Sequence, residues 1–461
     1  MTIPAAAPLE TPFSRVENLA EAVRAGKPLP PVEQRVLEHY ADVAGSVGAW
    51  ADVAEIVVAA ELVDRGFQIH RLTGDAVCRR DELLLGDYSL VCAAELATRL
   101  GRSDVDREFA RAAMTAAAGG DYVTCLESAV ATAVLAPRNG STPAAAGTRL
   151  VVGSGEEPAA IDACLKTLVA GDPALVGEPM ARLLGAGGKR LRSVLAFLAS
   201  SLGPDHDPDR AAILASVVEF IHNATLVHDD LVDESPLRRG LPAVHVAYTP
   251  QVAVRVGDFY FGRAADLLGS LDNHRATRLV VEAVALVCQA QIEEFMQRRQ
   301  DHLDEASYLQ IVEGKTAALF AGACAAGAAV GGASDSVVGA MQTYGHNLGV
   351  AFQIVDDVLD FSSTSGKALA QDLRQKVTSL PLVYAEEDVE VRHQLTALRD
   401  AESFDPEAAV TLVAGAGALD RSLVRARQFR DLAVAGLAPL PPTEIRERLV
   451  AYAGFAIERH S

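Results

Sequence analysis

The segments HDDLVDESPLRRG (228–240) and FQIVDDVLDF (352–361) each spell Asp-Asp-x-x-Asp within largely apolar surroundings. On a helix, residues four apart share one face about 6 Å from each other, so Asp229 with Asp233, and Asp356 with Asp360, each aim two carboxylates in one direction. Carboxylates massed this way repel. A hard divalent cation relieves the repulsion, and Mg²⁺ takes one or two carboxylates, keeps waters and completes its octahedron with phosphate oxygens. A single such segment reads as a solvated acidic helix face. Two of them, preceded by Ala224 to Val227 and by Phe352 to Val355, do not read as surface.

Cations stand close to these acids in the sequence. Arg238, Arg239 and Gly240 follow the first motif, and guanidinium forks match phosphate oxygens through paired hydrogen bonds. Upstream, GAGGKRLRS (185–193) sets Lys189, Arg190 and Arg192 just after glycines, where backbone can approach an anion closely. Together they set cations for phosphate on one side and carboxylates for Mg²⁺ on the other.

With these blocks the chain resembles the trans-polyprenyl diphosphate synthases. GGKRLR, IHNATLVHDDLVDESPLRRG, VGDFYFGRAADLL (256–268), EGKTAALF (313–320), GVAFQIVDDVLDF (349–361) and GKALAQDLRQKVTSLPLVYA (366–385) follow the order of that family, from about Ala159 to the C-terminus. The resemblance implies an all-α fold of the isoprenoid-synthase type, a helical bundle whose two aspartate motifs face each other across a deep central cavity. It implies Mg²⁺ held by Asp229, Asp233, Asp356 and Asp360, and isopentenyl diphosphate held by Lys189, Arg192, His222 and Arg239. It places Arg238, Lys315, Thr316, Gln353 and Lys367 at the allylic diphosphate. One block departs from the family pattern: Val377 stands where a lysine is usual, with Lys376 one residue early.

The implied reaction condenses an allylic diphosphate with isopentenyl diphosphate. The family's cavity floor lies four and five residues before the first motif, here Thr225 and Ala224, with Ile221 a turn further on. Small side chains there imply a product of geranylgeranyl length or longer, and so apolar a product implies a peripheral membrane contact for its release. The resemblance also implies a homodimer. A class I terpene cyclase shares the first aspartate motif, and a silent regulatory subunit of a heteromeric synthase is a further alternative. No Gly-x-Ser-x-Gly or Cys-His signature suggests a side-chain nucleophile.

Bulk properties agree. Half of the residues are hydrophobic but only 5% aromatic, which suits packed helices, and apolar residues recur at helical spacing without sustained alternation. A formal charge of −20 excludes nucleic acid as an expected partner. Cys78, Cys92, Cys125, Cys164, Cys288 and Cys324 show no ligand spacing, and MTIPAAAPLETPF is no secretory leader, so a reduced, cytoplasmic setting is expected. Ala317 to Ala333, mostly Ala and Gly, reads as a closely packed internal helix rather than a membrane span.

At 461 residues two domains are expected. The breaker-rich stretch after Ala136 divides a smaller helical domain (1–140) from a linker (141–158) and a catalytic domain (159–461). The first domain carries traces of the second. LLLGDYSLVCAAEL (83–96) lies on VRVGDFYFGRAADL (254–267), pairing Gly86 with Gly257 and Asp87 with Asp258. AELVDRGFQIHRLTGD (60–75) lies on VEFIHNATLVHDDLVD (218–233), pairing His70 with His228 and Asp75 with Asp233, while Asp64 replaces His222. Arg71 and Leu72 stand at the places of Asp229 and Asp230, so the first copy is expected to be a degenerate one that binds neither metal nor diphosphate and packs as a scaffold.

Overall fold

The computed structural model describes residues 59–60, 62–63, 66–68, 70, 80–99, 103–118, 120, 156–297, 304–362, 369–401 and 403–458. Nearly all secondary structure among them is helical, as the periodicity predicts. The exception is a pair of two-residue strands. The chain forms two compact units: residues 1–149, 162–189 and 219–281 in the first, and 150–161, 190–218 and 282–461 in the second.

The first unit contains α1 (Arg80–Arg99) and α2 (Ser103–Ala117), and most of α3 (Glu157–Ala170) together with α4 (Ala174–Gly185). It also holds the C-terminal part of α6 (Pro208–Val232), strands β1 (Leu237–Arg238) and β2 (Leu241–Pro242), α7 (Val244–Ala247) and α8 (Pro250–Ser270). Helix α8 starts where the sequence dictates: the Thr249 side chain accepts the Val252 amide at 3.2 Å, and Pro250 occupies the first turn, where a missing N–H costs nothing. Its buried Val256, Phe259, Tyr260 and Ala264 mark the core face, and it packs along α2 and α4. Tyr260 is fully buried and donates its hydroxyl to Asp172 at 2.9 Å, which satisfies the polar end of an otherwise apolar contact.

The second unit contains α5 (Leu191–Ser200), the N-terminal part of α6 and most of α9 (His274–Gln297). After these come α10 (Glu305–Val312), a π-helical turn over Glu313–Ala317, α11 (Ala318–Val330) and α12 (Asp335–Asp360). The helices α13 (Gln371–Gln375), α14 (Leu380–Ala385), α15 (Val389–Arg399), α16 (Pro406–Gly415), α17 (Ala418–Gly436) and α18 (Glu444–Ile457) complete it. Every residue of α11 is buried, in line with the Ala/Gly reading of that stretch. The reason is close approach: a Cβ on Gly327 would lie 2.2 Å from the Ala196 carbonyl oxygen of α5, so only glycine admits that backbone contact. Helix α12 packs along both α11 and α17, and its buried Val350, Ile354 and Val355 join Leu380, Val413 and Phe429 in one core cluster. Burying each such side chain contributes roughly 1.5–3 kcal/mol, which fixes the end of α12 that carries the second aspartate motif.

Candidate active site

The first half of the site lies in the first unit, at the end of α6. His222, Leu226, Asp229 and Asp233 are partly open to solvent, while Ile221, Asn223, Ala224, Thr225, Val227, His228 and Asp230 are buried. His222, Leu226, Asp229 and Asp233 are spaced by three to four residues, so one helix face carries Asp229 and Asp233 side by side, as the motif predicts; Leu231, off that face, is also partly open. Ala224 and Ile221 are enclosed at 0% and 3% exposure, and Thr225, one turn before Asp229, keeps 9%. Leu226 is the position on the open face that the sequence reading passed over; its apolar chemistry gives no signal until the face is known.

Asp230 turns inward and is held by an arginine fork. Arg238 Nε donates to both carboxylate oxygens, at 3.0 and 3.1 Å, and its Nη2 also donates to Oδ1. Burial pushes the Asp230 carboxyl up, and the Arg238 guanidinium opposes that rise. Desolvation of Arg238 is in turn outweighed by Asp230, Asp229 and Asp233, which raise its basicity. The guanidinium expected at the allylic diphosphate is therefore anchored by the middle aspartate, with Nη1 outside the fork.

A short hairpin sets that geometry. Strands β1 and β2 pair Leu237 with Pro242 and Arg238 with Leu241, leaving Arg239 and Gly240 as a two-residue loop. Their φ values of 51° and 76° fit the type I′ turn, which needs positive φ at both places and explains Gly240. Arg239 Nη1 donates to the Gly187 carbonyl, and a Cβ on Gly188 would lie 3.2 Å from the guanidinium. The glycine loop before Lys189 and the Arg-Arg-Gly turn thus form one corner, with Lys189 and Arg239 both exposed on it.

The second half lies in the second unit, where Phe352, Gln353, Asp356 and Leu359 are partly open and Asp357 is buried. Asp357 accepts from the Tyr308 hydroxyl at 2.6 Å, from Gln353 Nε2 at 2.8 Å and from the Leu380 amide at 3.1 Å. Burial nonetheless pushes its carboxyl up to about 7, against the pull of those donors. Thr316 donates to Gln353 Oε1 at 2.9 Å, so Thr316, Gln353, Asp357 and Tyr308 form one chain of hydrogen bonds. Asp360, 9% exposed, accepts the Asp372 amide on one oxygen at 3.0 Å, which ties the motif to the segment that follows it. Lys315 pairs with Glu294 at 2.6 Å. The Arg192 guanidinium stacks 4.3 Å from the Phe320 ring and 5.7 Å from that of Phe352, a cation–π clasp that orients it. Lys367 lies outside the described residues. Tyr308 and Glu294 were missed in the sequence; Tyr308 stands two helical turns before Lys315, the one spacing that hinted at a shared face.

The donor set suits a hard cation. The partly open Asp229 and Asp233 on one helix face, and the partly open Asp356 with the buried Asp360 one turn on, offer oxygen ligands and leave coordination places for water and phosphate, the pattern of Mg²⁺ rather than of a closed nitrogen–sulfur site.

Beginning at His228, beside the first motif, four buried side chains interlock in the first unit. His70 Nδ1 lies 2.9 Å from Asp258, and His228 Nδ1 lies 2.9 Å from Asp87. Burial alone would lower both histidines; Asp258 acting on His70, and Asp87 acting on His228, overcome it, and His228 is raised to about 9.

Comparison with known proteins assigns the chain. Residues 173–413 match the family model described as polyprenyl synthetase. The chain is 33% identical to heptaprenyl diphosphate synthase component 2 of Geobacillus stearothermophilus, over 63% of this chain and 92% of that protein. It is 30% identical to octaprenyl diphosphate synthase of Escherichia coli K12, over 66% and 96% of the two chains. Among solved structures, a polyprenyl synthase of Caulobacter crescentus in complex with calcium and isoprenyl diphosphate superposes with a TM-score of 0.63 at 35% identity, covering 67% of this chain and 96% of that one. The blocks on which the resemblance rests all fall at or near the matched span, and the chain belongs to the polyprenyl synthetase family.

Proposed function

We propose that this chain elongates an allylic diphosphate with isopentenyl diphosphate, in a Mg²⁺-dependent reaction, to a trans product of geranylgeranyl length or longer. The observation that carries the reading is the open face bearing Asp229 and Asp233 with the Asp230-anchored Arg238 beside it. The relatives named for heptaprenyl and octaprenyl products support chain elongation, and the calcium and isoprenyl diphosphate of the Caulobacter enzyme support a divalent ion with a diphosphate.

In this reading Lys189, Arg192, His222 and Arg239 bind the diphosphate of isopentenyl diphosphate, and Arg238, Lys315, Thr316, Gln353 and Lys367 line the allylic site. Bound Mg²⁺, on Asp229, Asp233, Asp356 and Asp360, would supply charge neutralisation for the leaving group. The allylic carbon–oxygen bond breaks and diphosphate keeps the electron pair. The double bond of isopentenyl diphosphate attacks the resulting allylic cation, and the departing diphosphate takes up the proton whose loss restores an alkene. Arg238, fixed by Asp230, places positive charge where negative charge grows on the departing oxygens, and that preorganisation lowers the barrier. A reduced, cytoplasmic setting is part of the same reading, since the cysteines show no ligand spacing.

A relative named as component 2 keeps the reading of a subunit in a heteromeric synthase alongside. Incubating the purified chain alone with Mg²⁺, isopentenyl diphosphate and geranyl, farnesyl and geranylgeranyl primers, then sizing the products, separates the two. Products of twenty carbons or more support elongation. Cyclised hydrocarbon, arrest at farnesyl, or no turnover without a second protein overturns it.

A further inference from the structure

The four buried side chains of the first unit repeat one arrangement twice. His70 reaches Asp258 at 2.9 Å and His228 reaches Asp87 at 2.9 Å. The other ring nitrogens face carbonyl oxygens, His70 Nε2 that of Leu83 at 3.3 Å and His228 Nε2 that of Val254 at 3.1 Å. A Cβ on Gly86 would lie 2.1 Å from His70 Nε2, and one on Gly257 would lie 2.0 Å from His228 Nε2. The two rings meet edge to face, 6.0 Å apart and at 83°. Every member of one set is the counterpart of a member of the other in the register that pairs His70 with His228, Leu83 with Val254, Gly86 with Gly257 and Asp87 with Asp258.

Such reciprocity has a specific geometric meaning. In an interface with two-fold symmetry, residue i of one copy touches residue j of the other, and j touches i. Here each half gives its histidine to the aspartate of the other half, within a single chain. The flanking helices carry the contact on, since Arg107 of α2 pairs with Asp266 of α8 at 3.2 Å and Ser103 donates to Asp272 at 3.2 Å. A Cβ on Gly262 of α8 would lie 3.0 Å from the Ala110 carbonyl oxygen of α2.

We propose that the described residues between 59 and 117 occupy, in the same chain, the face of α6 and α8 through which two copies of the catalytic segment would pair about a two-fold axis, so that the full chain is a monomeric pseudo-dimer with one catalytic half. The homodimer expected from the family is then satisfied internally, and the first copy, whose Arg71 and Leu72 lie outside the described residues, needs no aspartate motif of its own.

His70, Asp87 and Asp258 lie close enough together to hold a metal ion. The geometry favours ion pairs instead. Each ring points both nitrogens at oxygen acceptors, a carboxylate on one side and a carbonyl on the other, so both nitrogens must carry hydrogen and neither offers a lone pair. The second carboxylate oxygens also lie beside a ring: Asp258 Oδ1 is 2.9 Å from His70 Nδ1, and Asp87 Oδ1 is 3.7 Å from His70 Nε2.

The test uses the full chain with a protease recognition sequence placed between residues 141 and 155. Light scattering during gel filtration should give the mass of one chain, 48.5 kDa, before cutting and the same mass with both fragments together after cutting. Asp87→Asn and Asp258→Asn remove equivalent halves of the exchange, so each should weaken fragment retention alike, by roughly a hundredfold or more. A dimer of uncut chains, or an N-terminal fragment that leaves a catalytic fragment monomeric, overturns the proposal. So does a marked inequality between the two variants, or one equivalent of metal that His70→Ala removes. Mass and retention do not depend on prenyl transfer, so failure here is distinct from failure of the proposed reaction.

Discussion

Asp106 offers a test in which the sign of a pH effect is decisive. It lies on α2, 8% exposed, with neither carboxylate oxygen hydrogen-bonded. Burial, and then the neighbouring Asp104, raise its carboxyl from 3.8 to about 7. In the unfolded chain the group ionises near its ordinary value. Below that value both states are protonated and the group is neutral toward stability. Between about pH 4 and 7 the unfolded chain gives up its proton while the folded chain keeps it, so folding is penalised progressively and the penalty is complete above 7. About three pH units correspond to a ceiling of about 4 kcal/mol, which the positive end of α2 reduces. Asp106→Asn keeps the shape and removes the ionisation. Its advantage over the native chain should grow by roughly 2–3 kcal/mol between about pH 5 and pH 8.5, read as the shift in urea midpoint at each pH. An advantage equal at both pH values, or one larger at low pH, would refute the argument.

Three further outcomes follow from the site. Asp229→Ala or Asp356→Ala should lower turnover by about three orders of magnitude or more with unchanged circular dichroism, and near-normal turnover in either would remove the metal assignment. Arg238→Ala leaves Asp230 buried without its cation and should cost roughly 2–4 kcal/mol in denaturant unfolding, less than for a fully buried pair because Arg238 is 31% exposed; adding Asp230→Asn should recover part of that loss but not the turnover. Thr225→Phe, one turn before Asp229, should shorten the product by one or more five-carbon units while the first condensation proceeds, and chromatography of the dephosphorylated products would show unchanged length if the position does not line the growing chain.

How far the sequence spoke depended on how local each feature is. Helix periodicity alone places Asp229 and Asp233 on one face, and the Ala/Gly content of 317–333 implies the close approach seen at Gly327. The Arg-Gly turn is local too, because only positive φ at Arg239 and Gly240 closes so short a hairpin. Partners brought together by tertiary packing were not legible. Nothing in EGKTA points to Glu294 as the counter-ion of Lys315, and nothing in the first motif points to Arg238 rather than Arg239 as the fork on Asp230. The register between the two copies paired His70 with His228, but it gave no sign that each histidine would seek the other copy's aspartate. A pairing seen in sequence relates like to like, whereas a two-fold contact joins unlike positions.

The middle aspartate of each motif shows why the doubled Asp is kept rather than one carboxylate per turn. Adjacent residues on a helix point about 100° apart, so if the outer pair is open the middle residue must turn toward the core. A buried carboxylate is costly unless partners meet it, and the two motifs meet that cost differently. Asp230 is met by a cation, Arg238, which is thereby held beside Asp229 and Asp233. Asp357 is met by three neutral donors, from Tyr308, Gln353 and the Leu380 amide, which bind α10, α12 and α14 together behind Asp356. The first arrangement positions a charge for the substrate, and the second fixes the helix end that presents a ligand. Replacing the middle residue should therefore have different consequences in the two places: Asp230→Asn should loosen Arg238 and chiefly slow turnover, whereas Asp357→Asn, which sets an amide NH2 against donors that need an acceptor, should chiefly lower the unfolding midpoint.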